Sequence, residues 1–459
     1  MKVVVDNDIT IYKPTFEMVK WCREHLVLDN PDYIKKEAMG KWTGNVPREI
    51  YLYEQIYGSL RVPFGCLRDL WSFIGRKAEW ENKIHDKIGC NVQSDVTLYD
   101  YQENAVISAL LCKNGVLVMP CGSGKTQCGL EIISRLKGKA LWLTHTEDLL
   151  NQSKRRAEAI LQADKFGTIT AGKVNVGDSI TFATVQTMSR IDLQKYKDCW
   201  DIVIVDECQH CCGSPTKVTQ FYKVVSNLSA RYKYGLTATP KRADGLERAM
   251  FALLGNIVHE VTRAEVADTT CKVIVRQLPT GWMPEYDLVL TGDGTIDYNK
   301  VVDAMTHNEA RFEFVRNEVD KCFGGTIVLA NRVEYLQRLN DAYEGNSICL
   351  STLGTSRKAR EERKQALKRL NDGELDCIFA TYQLAKEGLD VPNLRYIVFA
   401  TPEKDETTVI QSVGRVGRKA DNKVHGTVID LVDDFPMFSG WAKKRRSYYK
   451  RIDATVEEN

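Results

Sequence analysis

The sequence predicts an α/β protein in which two parallel-sheet domains in tandem follow a small α+β module. Three observations predict it. From about residue 98 onward, β-rich apolar runs alternate with amphipathic helical stretches, the pattern of a parallel sheet covered by helices on both faces. The alternation comes as two separate series, with a weaker stretch after Val261 between them. The first 95 residues have a different texture, rich in Trp and Tyr. These shifts divide the chain into 1–95, 96–265 and 266–459.

The bulk properties agree. A chain of 459 residues is long enough for two to four domains with separate cores. Charged residues make up 27% and apolar residues 43%, as in soluble globular proteins. The formal charge is only +2, so any nucleic-acid site must be a local basic surface. No run approaches the roughly 20 apolar residues that span a bilayer, and MKVVVDNDITIYKP lacks the apolar core of a signal peptide. The 14 scattered cysteines read as reduced thiols. A cytoplasmic protein with no membrane partner is expected. Cys208, His210, Cys211 and Cys212 are metal-ligand types, but no second CxxC or HxxxH pair accompanies them, so they are not read as a zinc site.

In chain order, Lys2–Tyr12 reads as strand and Phe16–Leu26 as helix. The first alternating series places strands at Gly115–Met119, Ala140–Thr144, Ser179–Thr184, Ile202–Val205 and Lys233–Leu236. Asp287–Tyr298, rich in Gly and Asp, reads as a loop or hairpin. The second series places strands at Thr326–Ala330, Ser347–Leu350, Asp376–Ala380, Tyr396–Ala400 and Gly426–Leu431. Ser356–Leu370 carries many cations, but Glu361 and Glu362 interleave with them, so it reads as a solvated helix face.

The chemistry starts at PCGSGKT, Pro120–Thr126, between a strand and the helix-like Cys128–Leu136. Gly122 and Gly124 lack a Cβ, so the backbone can wrap a phosphate, and the helix N-terminus adds a positive dipole end. Pro120, Cys121, Gly122, Ser123, Gly124, Lys125 and Thr126 are therefore the candidate ATP cradle. Lys125 would reach the terminal phosphates and Thr126 would hold Mg2+. Met119 stands where the full pattern has another Gly. Nucleotide hydrolysis also needs a carboxylate for the metal and a group that takes a proton from water. The segment IVIVDECQH, Ile202–His210, ends a strand in Asp206, a metal candidate, and Glu207, a base candidate. YGLTATP, Tyr234–Pro240, puts Thr237 and Thr239 beyond another strand. Far downstream, QSVGRVGR carries Arg415 and Arg418, three residues apart. On one helix face both would point at a nucleotide across a domain cleft, as planar, permanently charged donors suit.

Taken in order, these segments resemble a superfamily 2 helicase or translocase over about residues 98–440. PCGSGKT is similar to motif I, where Met119 is ordinary, and DECQ to motif II. LTATP is similar to motif III, ATYQLAKEGLDVP (Ala380–Pro392) to motif V, and QSVGRVGR to motif VI. LTHTEDLLNQ (Leu143–Gln152), ATVQTM (Ala183–Met188) and LYDYQ (Leu98–Gln102) resemble motif Ia, a DNA-contact motif and the adenine-reading Q motif. GLTATPKRADGLE is similar to the XPB-type and phage UvsW-type DNA helicases. The resemblance implies two RecA-like domains behind an accessory DNA-recognition domain. It implies ATP and Mg2+ as cofactors and 3′ to 5′ movement on branched, forked or partly single-stranded DNA, as a monomeric motor in the cytoplasm, the host's if the protein is phage-encoded.

Carried over by motif, the catalytic set is Lys125, Asp206, Glu207, Gln411, Arg415 and Arg418, with Thr126 and Asp206 at the metal. Gln102, Gly388 and Asp390 join the cradle residues at the nucleotide. Thr144, His145, Thr187, Arg242, Thr381 and Lys386 are the DNA candidates. The tail Lys443–Arg446, between Trp441 and Tyr448–Tyr449, suits backbone binding and base stacking. Three departures stand out. Arg242-Ala243-Asp244 replaces an Arg-Glu-Asp triplet, Gln209 replaces the usual His or Asp, and Tyr99 stands where many relatives have Arg. Other readings are a double-stranded DNA translocase that does not separate strands, an RNA helicase, and a non-catalytic DNA-binding switch. The intact Lys125, Asp206, Glu207, Arg415 and Arg418 argue against the last.

Overall fold

Strands Asn114–Val118, Ala140–Thr144, Ile180–Thr184 and Ile202–Asp206 are buried at every position. Such continuous apolar runs belong to strands covered on both faces. The computed structural model that shows this describes residues 1–242, 244–267, 270–292, 294–350, 357–383, 391–420 and 423–457. The chain forms two units, one of Met1–Pro120 and Gly124–Thr262, the other of Cys121–Ser123 and Arg263–Asn459.

The main sheet of the first unit has eight strands. Their order is Lys173–Asn175, Gly167–Thr170, Ile180–Thr184, Ala140–Thr144, Ile202–Asp206, Tyr232–Thr237, Asn114–Val118 and Ile257–Glu260. All neighbours pair in parallel except the edge pair Gly167–Thr170 and Lys173–Asn175. The ends of the central strands therefore come together, where ligands bind in open parallel sheets.

The N-terminal residues build a second sheet in this unit, ordered Glu54–Ile56, Ser59–Pro63, Asp8–Tyr12, Lys2–Val5 and Glu79–Asn82. The run expected as one strand, Lys2–Tyr12, is a hairpin. It breaks at Asp6–Asn7, where Asp6 N donates to Asp8 O at 2.8 Å. Phe16–His25 forms the expected helix, capped by Thr15. The core of this module takes in Ala249 and Ala252 from the helix Glu247–Leu254. The segment after the module is also tied down. Asp201 accepts from Ile88 N at 2.9 Å and from Gly89 N at 3.0 Å, and Val92–Ser94 pairs with Leu161–Ala163.

The second unit has a fully parallel seven-stranded sheet. The order is Ser347–Cys349, Cys377–Thr381, Thr326–Ala330, Tyr396–Phe399, His425–Val432, Lys272–Pro279 and Thr455–Glu457. Lys272–Pro279 falls where the pattern weakened. Only Val273 and Val275 are buried there, while Arg276 pairs with Glu457 at 2.7 Å and Gln277 with Asp430 at 2.9 Å. Asp287–Tyr298 contains a Leu290–Ile296 bridge, and Asp297 caps the next helix, Tyr298–His307. Two buried ion pairs brace this unit. Arg311 grips Asp433 at 2.6 and 3.0 Å, and Arg445 grips Asp430 at 3.0 and 2.6 Å.

Candidate functional site

The cradle joins the strand Asn114–Val118, next to the edge strand of its sheet, to the helix Lys125–Leu136. Gly122 (φ +83°) and Gly124 (φ +84°) occupy the left-handed region, with Gly124 as the helix cap. A side chain at either would be strained. Gln102 lies against the loop: a Cβ on Gly124 would fall 2.3 Å from its Nε2. Gln102 Oε1 accepts from Tyr99 N at 3.1 Å, which fixes the amide at the start of its helix. Met119 is fully buried, and its N donates to Thr237 O at 2.9 Å. Its carbonyl accepts from Lys125 Nζ at 3.4 Å. The position that breaks the glycine pattern thus extends the strand and links the loop to the segment of Thr237.

Asp206 and Glu207 lie at the end of the strand Ile202–Asp206, two strands from the cradle strand. Asp206 Oδ1 accepts from Glu207 N at 3.0 Å, and Ser153 Oγ donates to Oδ2 at 3.4 Å. Burial, then the neighbouring Glu207 charge, push the Asp206 carboxyl well above the usual carboxylate range, and Lys125 works against them. A carboxylate destabilised in this way is suited to a divalent cation, which would relieve the cost of its charge. Its donor chemistry fits Mg2+, with the Thr126 hydroxyl as the second candidate ligand.

Glu207 takes the left-handed conformation, φ +50°. The chain turns there, so its carboxylate leaves the strand direction. Gln209 Nε2 donates to Glu207 Oε2 at 2.9 Å, and Gln209 Oε1 accepts from Thr237 Oγ1 at 2.7 Å. One amide therefore ties the candidate base to the next strand. Arg242 adds a further tie: it donates to Gln209 O and forks onto Asp244 at 2.9 and 2.7 Å.

The nucleic-acid candidates divide. Thr144 is fully buried, and its hydroxyl donates to Thr146 O at 2.9 Å. The Thr187 hydroxyl is buried and accepts from Thr184 Oγ1 at 3.1 Å. Both side chains turn inward and hold local turns. His145 is half-buried, its ring 4.4 Å from that of His210. Burial, then His210, push its imidazole down to about 4, so it carries no charge toward a phosphate at neutral pH. Arg242 is held as described above, and Thr381 ends its strand half-buried. Lys386, Gly388, Asp390 and Ala243 lie outside the described residues.

In the second unit, Gln411 and Arg415 lie on the helix Glu406–Val416. The helix stops there and Gly417 caps it, while Arg418 bridges to Thr270. The two arginines therefore do not share a helix face as expected. The tail also differs. Arg445 and Tyr449 are buried on Asp430, and Trp441 packs on Phe438 and Tyr298. Two residues of the cation–aromatic tract, Arg445 and Tyr449, are core, because the long helix Pro436–Arg451 needs an inward face. Sequence reasoning missed Ser153, Lys233 and Arg311. A polar residue inside an apolar helical pattern was the only available signal for the first and last.

Fold and site define a class: tandem RecA-like sheets, the first carrying a phosphate loop and a strand-end acidic pair. Residues 95–242 match the family model described as type III restriction enzyme, res subunit. Residues 310–420 match the helicase conserved C-terminal domain. A putative ATP-dependent RNA helicase of Acanthamoeba polyphaga mimivirus is 26% identical over 75% of this chain and 65% of its own length. The DNA 3′-5′ translocase XPB2 of Sulfurisphaera tokodaii is 26% identical over 76% of this chain and 85% of its own. The ATP-dependent DNA helicase uvsW of Enterobacteria phage T4 is 20% identical over 96% of this chain and 94% of its own. The chain thus spans just under two thirds of the mimivirus relative and most of the other two. Among solved structures, S. cerevisiae Dbp5 bound to RNA and ADP BeF3 aligns with a TM-score of 0.53 at 16% identity, covering 86% of this chain and 94% of that one. The DNA-bound type ISP restriction-modification enzyme LlaBIII gives 0.56 at 16% identity, covering 84% and 32%. The chain belongs to the superfamily 2 helicases, with XPB-like and UvsW-like relatives.

Proposed function

We propose that this chain is an ATP-driven DNA helicase. It unwinds and remodels branched DNA such as forks and Holliday junctions, moving 3′ to 5′, in phage-type replication, recombination and repair. The observation that carries the reading is the tie from Glu207 through Gln209 to Thr237, beside Asp206 and the cradle. In this reading Lys125 offsets phosphate charge, Thr126 and Asp206 hold Mg2+, and Glu207 takes the proton of the attacking water. Mg2+, when bound, neutralises phosphate charge. Gln102 reads the adenine, Gln411 supports the nucleotide, and Arg415 and Arg418 stabilise transition-state charge from the second RecA-like domain.

Three domains serve this reading: 1–95 for recognition, 96–265 for ATP binding and 266–459 as the second motor half. The protein works as a monomer in the cytoplasm. DNA is favoured over RNA by the LTATP form at Leu236–Pro240, and by the printed names of the archaeal and phage relatives. The mimivirus relative's name favours RNA, and a translocase that does not separate strands remains the alternative on DNA.

A substrate panel decides among them: fork, four-way junction, 3′-tailed duplex, blunt duplex and RNA duplex, with and without ATP. The proposal expects ATP-dependent processing of forks and junctions, and Lys125→Ala should abolish it while leaving DNA binding largely intact. ATP turnover on blunt duplex without strand displacement on any substrate favours the translocase, and activity confined to RNA favours the RNA helicase.

A further inference from the structure

The sequence sets the first 95 residues apart as an accessory domain, yet their attachments to the first nucleotide-binding sheet are dense and specific. They centre on the Asp6–Asp8 turn. Asp6 accepts from Lys197 Nζ and from Ser229 Oγ, both at 2.6 Å, and Asn7 Nδ2 donates to Ser226 O at 2.6 Å. Lys233, on the strand Tyr232–Thr237, is fully buried beneath this turn. Its ammonium donates to Asn7 O at 3.2 Å and to Val225 O at 3.1 Å, and sits 4.6 Å from the Phe64 ring centroid. One side chain therefore binds a carbonyl of the module's hairpin turn and a carbonyl of the helix Gln220–Asn227 at once. A buried ammonium held this way leaves no room for the two surfaces to slide apart, because separation would strip its ligands one side at a time.

A second fastening lies at Gly65. Its carbonyl accepts from Asn114 Nδ2 at 3.1 Å, at the start of the cradle strand. A Cβ there would fall 2.5 Å from Ala252 O, Gly255 N and Phe251 O, so backbone meets backbone. Farther out, Asn256 Nδ2 donates to both oxygens of Asp69 at 3.2 and 3.0 Å. The shared core with Ala249 and Ala252 and the pinned segment through Ile88 and Gly89 complete the seam.

We infer that the N-terminal module and the first nucleotide-binding sheet are one cooperative body. The module is then a fixed arm of the motor, attached to the strand that carries Thr237, and not a tethered recognition domain. This goes beyond the helicase reading and does not depend on it.

Native-state hydrogen exchange on the full chain tests the inference without nucleotide or nucleic acid. Amides of Lys2–Val5 and Asp8–Tyr12 form one set, those of Tyr232–Thr237 a second, and those of Thr326–Ala330 a control from the other unit. The first two sets should exchange through one opening with a common denaturant dependence. Asp6→Ala strands two seam donors and should speed both sets by the same factor, roughly tenfold, leaving the control unchanged. Gly65→Ala attacks the seam at another point and should again move both sets together. If the N-terminal strands open while Tyr232–Thr237 stays protected, or if either variant accelerates only the first set, the module is a separate fold and the inference fails.

Discussion

Two pairs of buried charges, one pair in each unit, are handled in opposite ways. In the second, Arg311 meets Asp433 and also donates to Ala400 O and Tyr335, while Arg445 meets Asp430 with Tyr449 and Gln277 alongside. Each charge has a forked counter-charge and its remaining atoms have partners. In the first unit, Asp206 and Lys233 are equally buried, and among the described residues neither has an ion-pair partner. Buried pairs answered within the fold act as braces. Asp206 and Lys233 sit where something beyond their own sheet would complete them: a cation in the case of Asp206, the hairpin turn of the N-terminal module in the case of Lys233.

The largest effect is expected at Asp433. Asp433→Ala leaves the Arg311 guanidinium buried and unpaired, which typically costs about 3–5 kcal/mol. Urea unfolding should show that loss in the second unit. A loss under about 1 kcal/mol would mean the pair behaves like a surface one. Asp206→Asn should do the reverse. It removes a charge the fold resists, so the nucleotide-free protein should gain about 1 kcal/mol or more in the same assay while losing ATP turnover. A destabilised Asp206→Asn would place Asp206 among the braces.

A smaller effect is expected at Lys233. Burial pushes its ammonium from 10.5 down to about 7. Between those values the unfolded chain holds a proton that the folded chain has released. Stability from this group is therefore complete above 10.5 and is lost as pH falls through about 7. Stability relative to Lys233→Met should rise with pH above 7, approaching about 1.4 kcal/mol per pH unit. Parallel pH profiles for the two proteins would show that Lys233 does not titrate in this range.

Much of this was legible beforehand because parallel strands buried on both faces read as apolar runs. All ten strands of the two alternating series are present, within a few residues of their expected bounds. The loop between a strand and the helix Lys125–Leu136, and the placing of Asp206 and Glu207 at a strand end, were legible because such segments fix residue type and spacing. Lys272–Pro279 was hidden because its polar residues bond to neighbours across the sheet. The inward turn of Thr144 and Thr187 was hidden because a hydroxyl after a strand serves a turn or a ligand equally well. Arg418 was misplaced because a three-residue spacing implies one helix face only while the helix continues, and this one ends at Val416. The seam was invisible because its partners are far apart in sequence: Asn7 meets Ser226 and Lys233, and Gly65 meets Asn114.

Glu207, held by Gln209 at the end of its strand, is proposed as the base of a nucleic-acid-stimulated ATPase. The most direct measurement is steady-state ATP hydrolysis by wild type and Glu207→Gln, with and without forked DNA, alongside nucleotide binding by each. Forked DNA should stimulate the wild type. Glu207→Gln should bind nucleotide as tightly but turn over roughly 10²–10⁴-fold more slowly, and a complex of DNA with unhydrolysed ATP should accumulate. Turnover of Glu207→Gln within about twofold of wild type, against a loss of that size for a missing base, would contradict the account.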